Sequence, residues 1–239
     1  MNSVNYSPDL LEREFDSREP IRHALRSLID VYRIERQDVA EFGSGLGYNL
    51  EIFSPANRVT GIEGLRAAAD AASRRGVATI ASNLAAPVPL ASASQDVVLC
   101  LDVLEHLLDP HLCLLEAHRI LRTAGLVVIN VPNHFSLSGR INIARGSGID
   151  SVHLFPHHAD WETPHVRFFR HSSIISLIRH CGFDIDADWS AQFPSIPVLS
   201  RSPALQRSQF ARILARQSPD LFSGGFFLIA RKMSDTAPR

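Results

Sequence analysis

Apolar positions along the chain follow two spacings, one typical of buried strands and one of amphipathic helices. Short aliphatic runs predict five strands, and apolar residues at helical intervals predict helices between them. The predicted strands cover residues 38–42, 58–63, 77–82, 95–101 and 126–131, and the predicted longer helices cover 17–34, 65–75 and 110–122. Strands that alternate with helices over short links are typical of a parallel sheet with helices on both faces.

The pattern changes after Pro132. Residues 133–170 show no clear periodicity, and so long a segment within a compact domain is usually functional. Regular spacing returns in a helix at 171–180, a strand at 184–188, a helical stretch at 203–217 and a last strand at 225–231. We therefore predict one domain over residues 1–239, with an N-terminal helical segment (1–36), a segment over the substrate site (133–170, the cap segment) and a frayed tail (233–239).

Composition limits the classes of protein to consider. With 239 residues, 45% of them hydrophobic and 21% charged, the chain can form one substantial globular core. Its net charge of −1 gives no argument for a nucleic-acid partner, and no apolar run is long enough to predict a membrane span. The N-terminus lacks a signal-peptide pattern, and the three cysteines show no paired spacing, so we expect a cytoplasmic protein with reduced thiols.

Candidate chemistry begins at Gly43-Ser-Gly-Leu-Gly47, directly after the first predicted strand. A strand that ends in spaced glycines and leads into a helix lets the backbone approach a ligand at the carboxyl edge of a sheet. A dinucleotide fingerprint would require glycine where Tyr48 stands, and the acidic Glu41 disfavours a phosphate. A nicotinamide-dependent oxidoreductase is therefore disfavoured, and a ligand with positive charge suits the loop.

A second acidic residue, Glu63, ends the second predicted strand, twenty residues beyond Gly43. A carboxylate at this position can accept two hydrogen bonds from a ribose diol. Together with the glycine loop, it favours a nucleoside cofactor.

Four motifs in this order resemble class I S-adenosylmethionine-dependent methyltransferases, and the resemblance covers about residues 20 to 190. The motifs are Glu41–Gly47, Gly61–Glu63, Asp96–His106 and Leu121–Pro132. The resemblance implies a Rossmann-like α/β sheet of seven strands in the order 3-2-1-4-5-7-6, with the last strand antiparallel. It also implies S-adenosyl-L-methionine as the cofactor.

The resemblance assigns residues to that cofactor. Those implied around its methionine part, ribose or adenine are Glu41, Gly43, Ser44, Gly45, Gly47, Glu63, Gly64, Leu65, Asn83, Leu84 and Asp102. Asn83 stands where the family usually has Asp, and an amide can still bond the adenine edge. Thr123-Ala-Gly125 replaces the family's usual Pro-Gly-Gly, which we expect to change turn geometry only.

Histidines are the candidates for a general base, because their pKa lies near neutral pH. We name His165 in the cap segment and His106 after the fourth strand, with His134 as a weaker third choice. The alternatives are a capping or core-edge role for His106 and an orienting hydrogen bond from His165. Likewise, Trp161, Phe168 and Phe169 suit either a substrate pocket or the core of the cap segment.

A further group of potential metal ligands lies in the cap segment: His153, His157, His158, Asp160 and Glu162. Their spacing matches no regular metal-binding pattern, so we expect a solvated loop there and no metal site.

We therefore predict methyl transfer to a small-molecule acceptor, at oxygen, with no nucleic-acid or membrane partner. The stretch Trp161–Phe169 and the helix after it also resemble proteins similar to the methionine-biosynthesis protein MetW. The alternative is therefore a regulatory or partner subunit that keeps the fold without methyl transfer of its own. A homodimer or a protein partner is left open.

Overall fold

A computed structural model describes residues 19–146, 149, 165–197, 199, 202–206 and 208–233. Its strands form one seven-stranded sheet in the order β3-β2-β1-β4-β5-β7-β6. The strands are β1 (Asp38–Phe42), β2 (Arg58–Glu63), β3 (Thr79–Ala81), β4 (Gln95–Leu101), β5 (Leu121–Pro132), β6 (Phe183–Asp188) and β7 (Gly225–Lys232). β7 runs antiparallel to its neighbours, β5 and β6, and the other described strand pairs of the sheet are parallel. The predicted fold class and strand order are confirmed.

Helices surround this sheet. They cover Glu19–Tyr32, Leu50–Phe53, Arg66–Arg74, Pro110–Ile120, Leu137–Ala144, His171–His180, Pro203–Gln206, Gln209–Gln217 and Pro219–Phe222, with 3-10 turns at Leu104–His106 and Ser190–Gln192. Within the described part of the chain, no helix is both long and apolar enough to cross a membrane.

The core has two layers, one on each face of the sheet. On one face, Val98 and Cys100 of β4 pack with side chains from the helices at 110–120 and 171–180. On the other face, Val97 and Leu99 pack with side chains from the helix at 19–32. Because β4 is covered on both faces, its sequence is a nearly continuous apolar run.

The predicted boundary between the helix at 110–122 and the fifth strand was wrong. The helix ends at Ile120, and β5 begins at once with Leu121, where a helix had been expected to Arg122. Arg122 is held extended by ion pairs to Asp38 at 3.0 Å and Asp96 at 2.7 Å. The stretch 123–125 is therefore part of an irregular strand, in which Ala124 has φ 63° and the pairing with β4 shifts register.

Three smaller differences concern segments with weak apolar patterns. β3 is shorter than predicted, and the helix Leu137–Ala144 was missed because none of its residues is buried. The predicted helix at 203–217 is divided in two, with Ser208 capping the second part by accepting the N–H of Ala211. Residues 1–18 and 234–239, and most of the cap segment between 147 and 164, lie outside the described residues, so expectations about them stay predictions.

Candidate active site

The glycine loop lies where β1 ends, beside the ends of β2 and β4. Gly43, Gly45 and Gly47 have φ of 70°, 52° and 81°, which L residues with side chains rarely adopt. The Gly43 N–H donates to the carbonyl of Ile62 at 2.8 Å, which holds the loop against β2. A Cβ at Gly43 would lie 2.7 Å from Cγ2 of Val103, so the loop backbone packs directly against the residue two positions after β4.

Glu63 organises this loop with its carboxylate. One oxygen accepts the N–H of Gly45 at 2.8 Å, and the other accepts the N–H of Leu65 at 2.7 Å. Each carboxylate oxygen has a further lone pair, so Glu63 can accept more hydrogen bonds from a ligand. The side chain is half-buried at the carboxyl edge of the sheet.

Glu41 brings a second carboxylate under the loop. It is 1% exposed and accepts a hydrogen bond from the side-chain amide of Asn49 at 2.8 Å. Buried carboxylates persist where they are hydrogen-bonded. Glu41 and Glu63 thus place two acidic groups at the ends of neighbouring strands, a setting that suits a cationic ligand.

Asp102 follows β4 in a conformation that is costly for a residue with a side chain, with φ of 52°. Two contacts with Asn130 of β5 hold it there. The Asn130 side-chain amide donates to the Asp102 carboxylate at 2.5 Å, and the Asp102 N–H donates to the Asn130 carbonyl at 3.0 Å. The neighbouring strand therefore fixes the carboxylate at the carboxyl edge of the sheet.

The remaining residues assigned to the cofactor lie after β2 and β3. Asn83 is exposed and its side-chain oxygen accepts the N–H of Ala85 at 2.9 Å, while Leu84 packs against the core. Gly64 is exposed, and the nearest atom to a Cβ there would be the Ser82 carbonyl oxygen at 3.9 Å, so this part of the edge is open. Ser44 differs, because its side chain packs against Gly61.

Three histidines meet at the same edge of the sheet. Nδ1 of His165 lies 2.7 Å from Nε2 of His134, and the rings of His165 and His106 are 4.8 Å apart. The ring of Phe168 packs edge-on against His134, whereas Phe169 is buried in the core. His106 follows β4 and His134 follows β5, so parallel strands bring them together with the cap segment.

The backbone beside His165 is tied to the turn that carries His106. The N–H groups of Val166 and Arg167 both donate to the carbonyl of Glu105, at 2.8 and 3.0 Å. The Arg167 guanidinium also bonds the carbonyl of Leu108. These contacts hold residues 165–167 of the cap segment next to the end of β4.

Comparisons with known proteins bear on this site. A family model described as a methyltransferase domain matches residues 40–129, from β1 to β5. A Mycolicibacterium smegmatis protein named as a probable S-adenosylmethionine-dependent methyltransferase is 32% identical over 133 residues, which are 55% of this chain and 51% of that protein. Over residues 40–129, the chain is therefore similar to a methyltransferase-domain family.

Solved structures with a similar fold include proteins described with different functions. A Thermotoga maritima structure described as a SAM-dependent methyltransferase, possible histamine N-methyltransferase, aligns with a TM-score of 0.63 at 17% identity and covers 94% of this chain and 95% of its own. The [4+2]-cyclase SpnF aligns with a TM-score of 0.54 at 16% identity, covering 87% of this chain and 80% of its own. At these identities the likeness concerns the fold alone. The chain spans about half the length, or less, of the curated relatives it matches.

The cofactor of this methyltransferase family is S-adenosyl-L-methionine, and the described residues fit its chemistry. The acidic groups of Glu41 and Glu63 suit a cation that also carries ribose hydroxyls. Contact with Val103 leaves room only for glycine at position 43. Because glycine has no side chain, a ligand can approach the backbone there closely. Which atoms each residue contacts stays a prediction.

Sequence reasoning missed several residues of the candidate site. Val103 and Asn130 act through contacts between strands, and Glu105 is a buried acid (1% exposed) inside an otherwise apolar stretch. His134 was the weakest of the three histidine candidates, yet it has the shortest contact to His165. Only the sheet order, read together with the end of each strand, could have indicated that these residues meet.

Proposed function

We propose that this protein transfers a methyl group from S-adenosylmethionine to a small-molecule acceptor, at an oxygen atom. The observation that carries the proposal is the common edge shared by the Glu63-bound glycine loop and the histidine cluster of His106, His134 and His165. Val103 links the two, because it packs on Gly43 and lies three residues before His106. A methyl donor and a proton acceptor would thus be neighbours.

The chain's own residues would bind and orient the cofactor. Glu63 would accept the ribose hydroxyls with lone pairs not used by the loop, and Glu41 would favour the positive charge. Asp102, fixed by Asn130, would face the methionine part. Bound S-adenosylmethionine supplies a methyl group that is already activated on sulfur, so the protein contributes mainly alignment of the reactants.

The histidine cluster would accept the proton that an oxygen acceptor loses. If Nδ1 of His165 donates its hydrogen to Nε2 of His134, the lone pair of His165 lies on Nε2, which would be the basic nitrogen. His134 would then be a positioning residue that sets the tautomer of His165. His106, beside His165, is the second candidate base.

Two other functions compete with methyl transfer. The fold also carries a cyclase, as SpnF illustrates, and sequence resemblance left a MetW-like regulatory subunit as an alternative. The curated relative is named as a methyltransferase, which supports transfer over both alternatives. A homodimer or protein partner stays a prediction.

The test is transfer of a radiolabelled methyl group from S-adenosylmethionine to hydroxyl, carboxyl and amine compounds, in buffer with EDTA. We expect O-methylated product, and at least about tenfold slower transfer by His165→Asn. His180→Asn is the matched control, because His180 contacts His111 away from the cluster. Products methylated only at nitrogen would contradict the oxygen assignment. Cofactor binding without transfer to any compound, including those of a cell metabolite extract, would contradict the enzymatic proposal.

A further inference from the structure

We propose that Glu105, His106 and His165 bind a divalent transition-metal ion. Each offers one ligand atom, and these three atoms all lie within 4.8 Å of one another. Glu105 is buried and both histidines are half-buried. The three residues therefore form a partly enclosed group and not an exposed surface cluster. This site differs from the cap-segment residues 153–162 weighed from sequence, which lie outside the described residues.

The fold places these ligands together before any ion binds. Glu105 and His106 share the 3-10 turn Leu104–His106, which follows β4. His165 lies 59 residues further along the chain, and the paired N–H bonds of Val166 and Arg167 to the Glu105 carbonyl hold its backbone against that turn. A third ligand is therefore fixed to the first two by main-chain hydrogen bonds rather than by its side chain alone.

The donor set indicates the class of ion. Two imidazoles and one carboxylate suit Zn²⁺, Co²⁺ or Fe²⁺, whereas Mg²⁺ and Ca²⁺ prefer oxygen ligands. Zn²⁺ bonds to such ligands are about 2.0–2.2 Å long, so tetrahedral ligand atoms would lie about 3.4 Å apart. The ligand atoms, which lie up to 4.8 Å apart, therefore have to approach one another by up to about 1.4 Å, and rotation of the imidazole rings would bring them closer. Three protein ligands leave one position open.

His134 supports the same assignment. Metal-bound histidines usually hydrogen-bond through their second ring nitrogen, which fixes the tautomer and the orientation of the ring. Nδ1 of His165 lies 2.7 Å from Nε2 of His134, so the proposed metal would be bound through Nε2 of His165. His134 would be a positioning residue and not a ligand.

An ion at this site would lie beside the glycine loop, because Val103 packs on Gly43 and directly precedes the turn. An acceptor hydroxyl bound to such an ion would have a lowered pKa. That consequence rests on the proposed function, but metal binding does not. His106 and His165 can either bind a metal ion or act as bases, but one imidazole nitrogen cannot do both at once. EDTA removes the metal in the transfer assay, so that assay tests the histidines as bases.

The experiment uses the full chain, free of tags and stripped of metal, with no cofactor present. Titration with Zn²⁺, and with Co²⁺ followed by visible absorption, should show one ion per chain and the ligand-field bands of a Co²⁺ site with nitrogen ligands. We expect His106→Ala and His165→Ala to weaken binding at least about tenfold and to remove the bands. The double variant His111→Ala/His180→Ala removes another histidine pair and should bind as the parent does.

Circular dichroism and thermal melting of each variant check that it is folded, and His106→Gln and His165→Gln provide variants of closer size. Binding that is unchanged in the folded His106 and His165 variants would overturn the proposal, as would the lack of stoichiometric binding by the parent. Because the cofactor is titrated separately, failure of the metal site and failure of the methyltransferase proposal give different results.

Discussion

The carboxylate of Glu63 accepts the N–H of Gly45 at 2.8 Å, which joins the end of β2 to the loop that follows β1. Its other oxygen accepts the N–H of Leu65, at the start of the next helix. One side chain thus shapes both segments between which a nucleoside would lie. Glu63 has a structural task in addition to the ligand-binding task that we propose for it.

The first prediction concerns Glu63→Gln. An amide keeps one acceptor oxygen but sets an NH₂ group against one of the two backbone N–H groups, and it removes the charge. We expect weaker binding of S-adenosylmethionine by about 2–4 kcal/mol, from lost charge-assisted bonds to the ribose and from a disturbed loop. Isothermal titration calorimetry of the parent and the variant measures this loss of affinity.

Glu51→Gln is the matched control for that variant. Glu51 lies near the same loop but forms an ion pair with Arg75 at 2.6 Å, with both side chains about one-third exposed. The Glu51→Gln variant should bind the cofactor with the same affinity as the parent protein. Equal affinity in Glu63→Gln and Glu51→Gln would show that Glu63 does not bind the ribose.

The second prediction separates backbone strain from steric clash at Gly43. Alanine there would adopt φ near 70° and place Cβ 2.7 Å from Val103, so we expect a loss of about 2–4 kcal/mol in the free energy of unfolding. Gly76→Ala is the control, because Gly76 has φ 88° but no atom within 4 Å of a Cβ. Gly76→Ala should lower the free energy of unfolding by the backbone strain alone, about 1–2 kcal/mol.

Urea unfolding of the single variants and of Gly43→Ala/Val103→Ala tests this account. Because Val103→Ala removes the clashing methyl groups, the costs of the two single changes should not add. Equal losses for Gly43→Ala and Gly76→Ala would mean that the close approach to Val103 has no energetic weight.

Much of the fold follows from the sequence because burial on both faces leaves a clear pattern. β1, β2 and β4 have the predicted bounds, since each contains buried apolar residues and ends at or just before a polar or glycine residue. The start of β5 could not be predicted, because Arg122 is held extended by Asp38, 84 residues earlier in the chain. The helix Leu137–Ala144 buries no side chain and therefore has no apolar periodicity to detect.

In the candidate site, too, local features could be predicted from the sequence, whereas contacts between distant residues could not. The glycine loop and Glu63 were found because their chemistry is local and their spacing is regular. His106, His134 and His165 were each named from sequence, but their meeting depends on β4 and β5 being neighbours and on the main-chain bonds to Glu105. A single sequence does not contain those distances.

The third prediction concerns stability in acid. Arg58, with a smaller contribution from Arg122, lowers the pKa of Asp38 below its ordinary value. In the unfolded chain Asp38 takes up a proton near pH 4, whereas the folded protein resists protonation. The stabilising contribution is therefore complete above about pH 4 and is lost as pH falls through the lower folded pKa.

Urea unfolding between pH 7 and pH 2.5 checks this dependence. Asp38→Asn should lose about 0.5–1 kcal/mol at pH 7, a modest value because the Arg58 side chain is 74% exposed and solvent screens the pair. The difference from the parent should shrink toward the acid end. Asp70→Asn, on an exposed helix position, should follow the parent throughout. A constant difference for Asp38→Asn at every pH would contradict the assigned cause.

The most direct test of the central claim is calorimetric titration of the purified, folded protein with S-adenosylmethionine and with its demethylated product. The Glu63-bound glycine loop predicts one site per chain with micromolar affinity for at least one of the two compounds. Absence of binding to both, in protein shown by circular dichroism to be folded, would contradict the proposed cofactor site and the methyl transfer built on it.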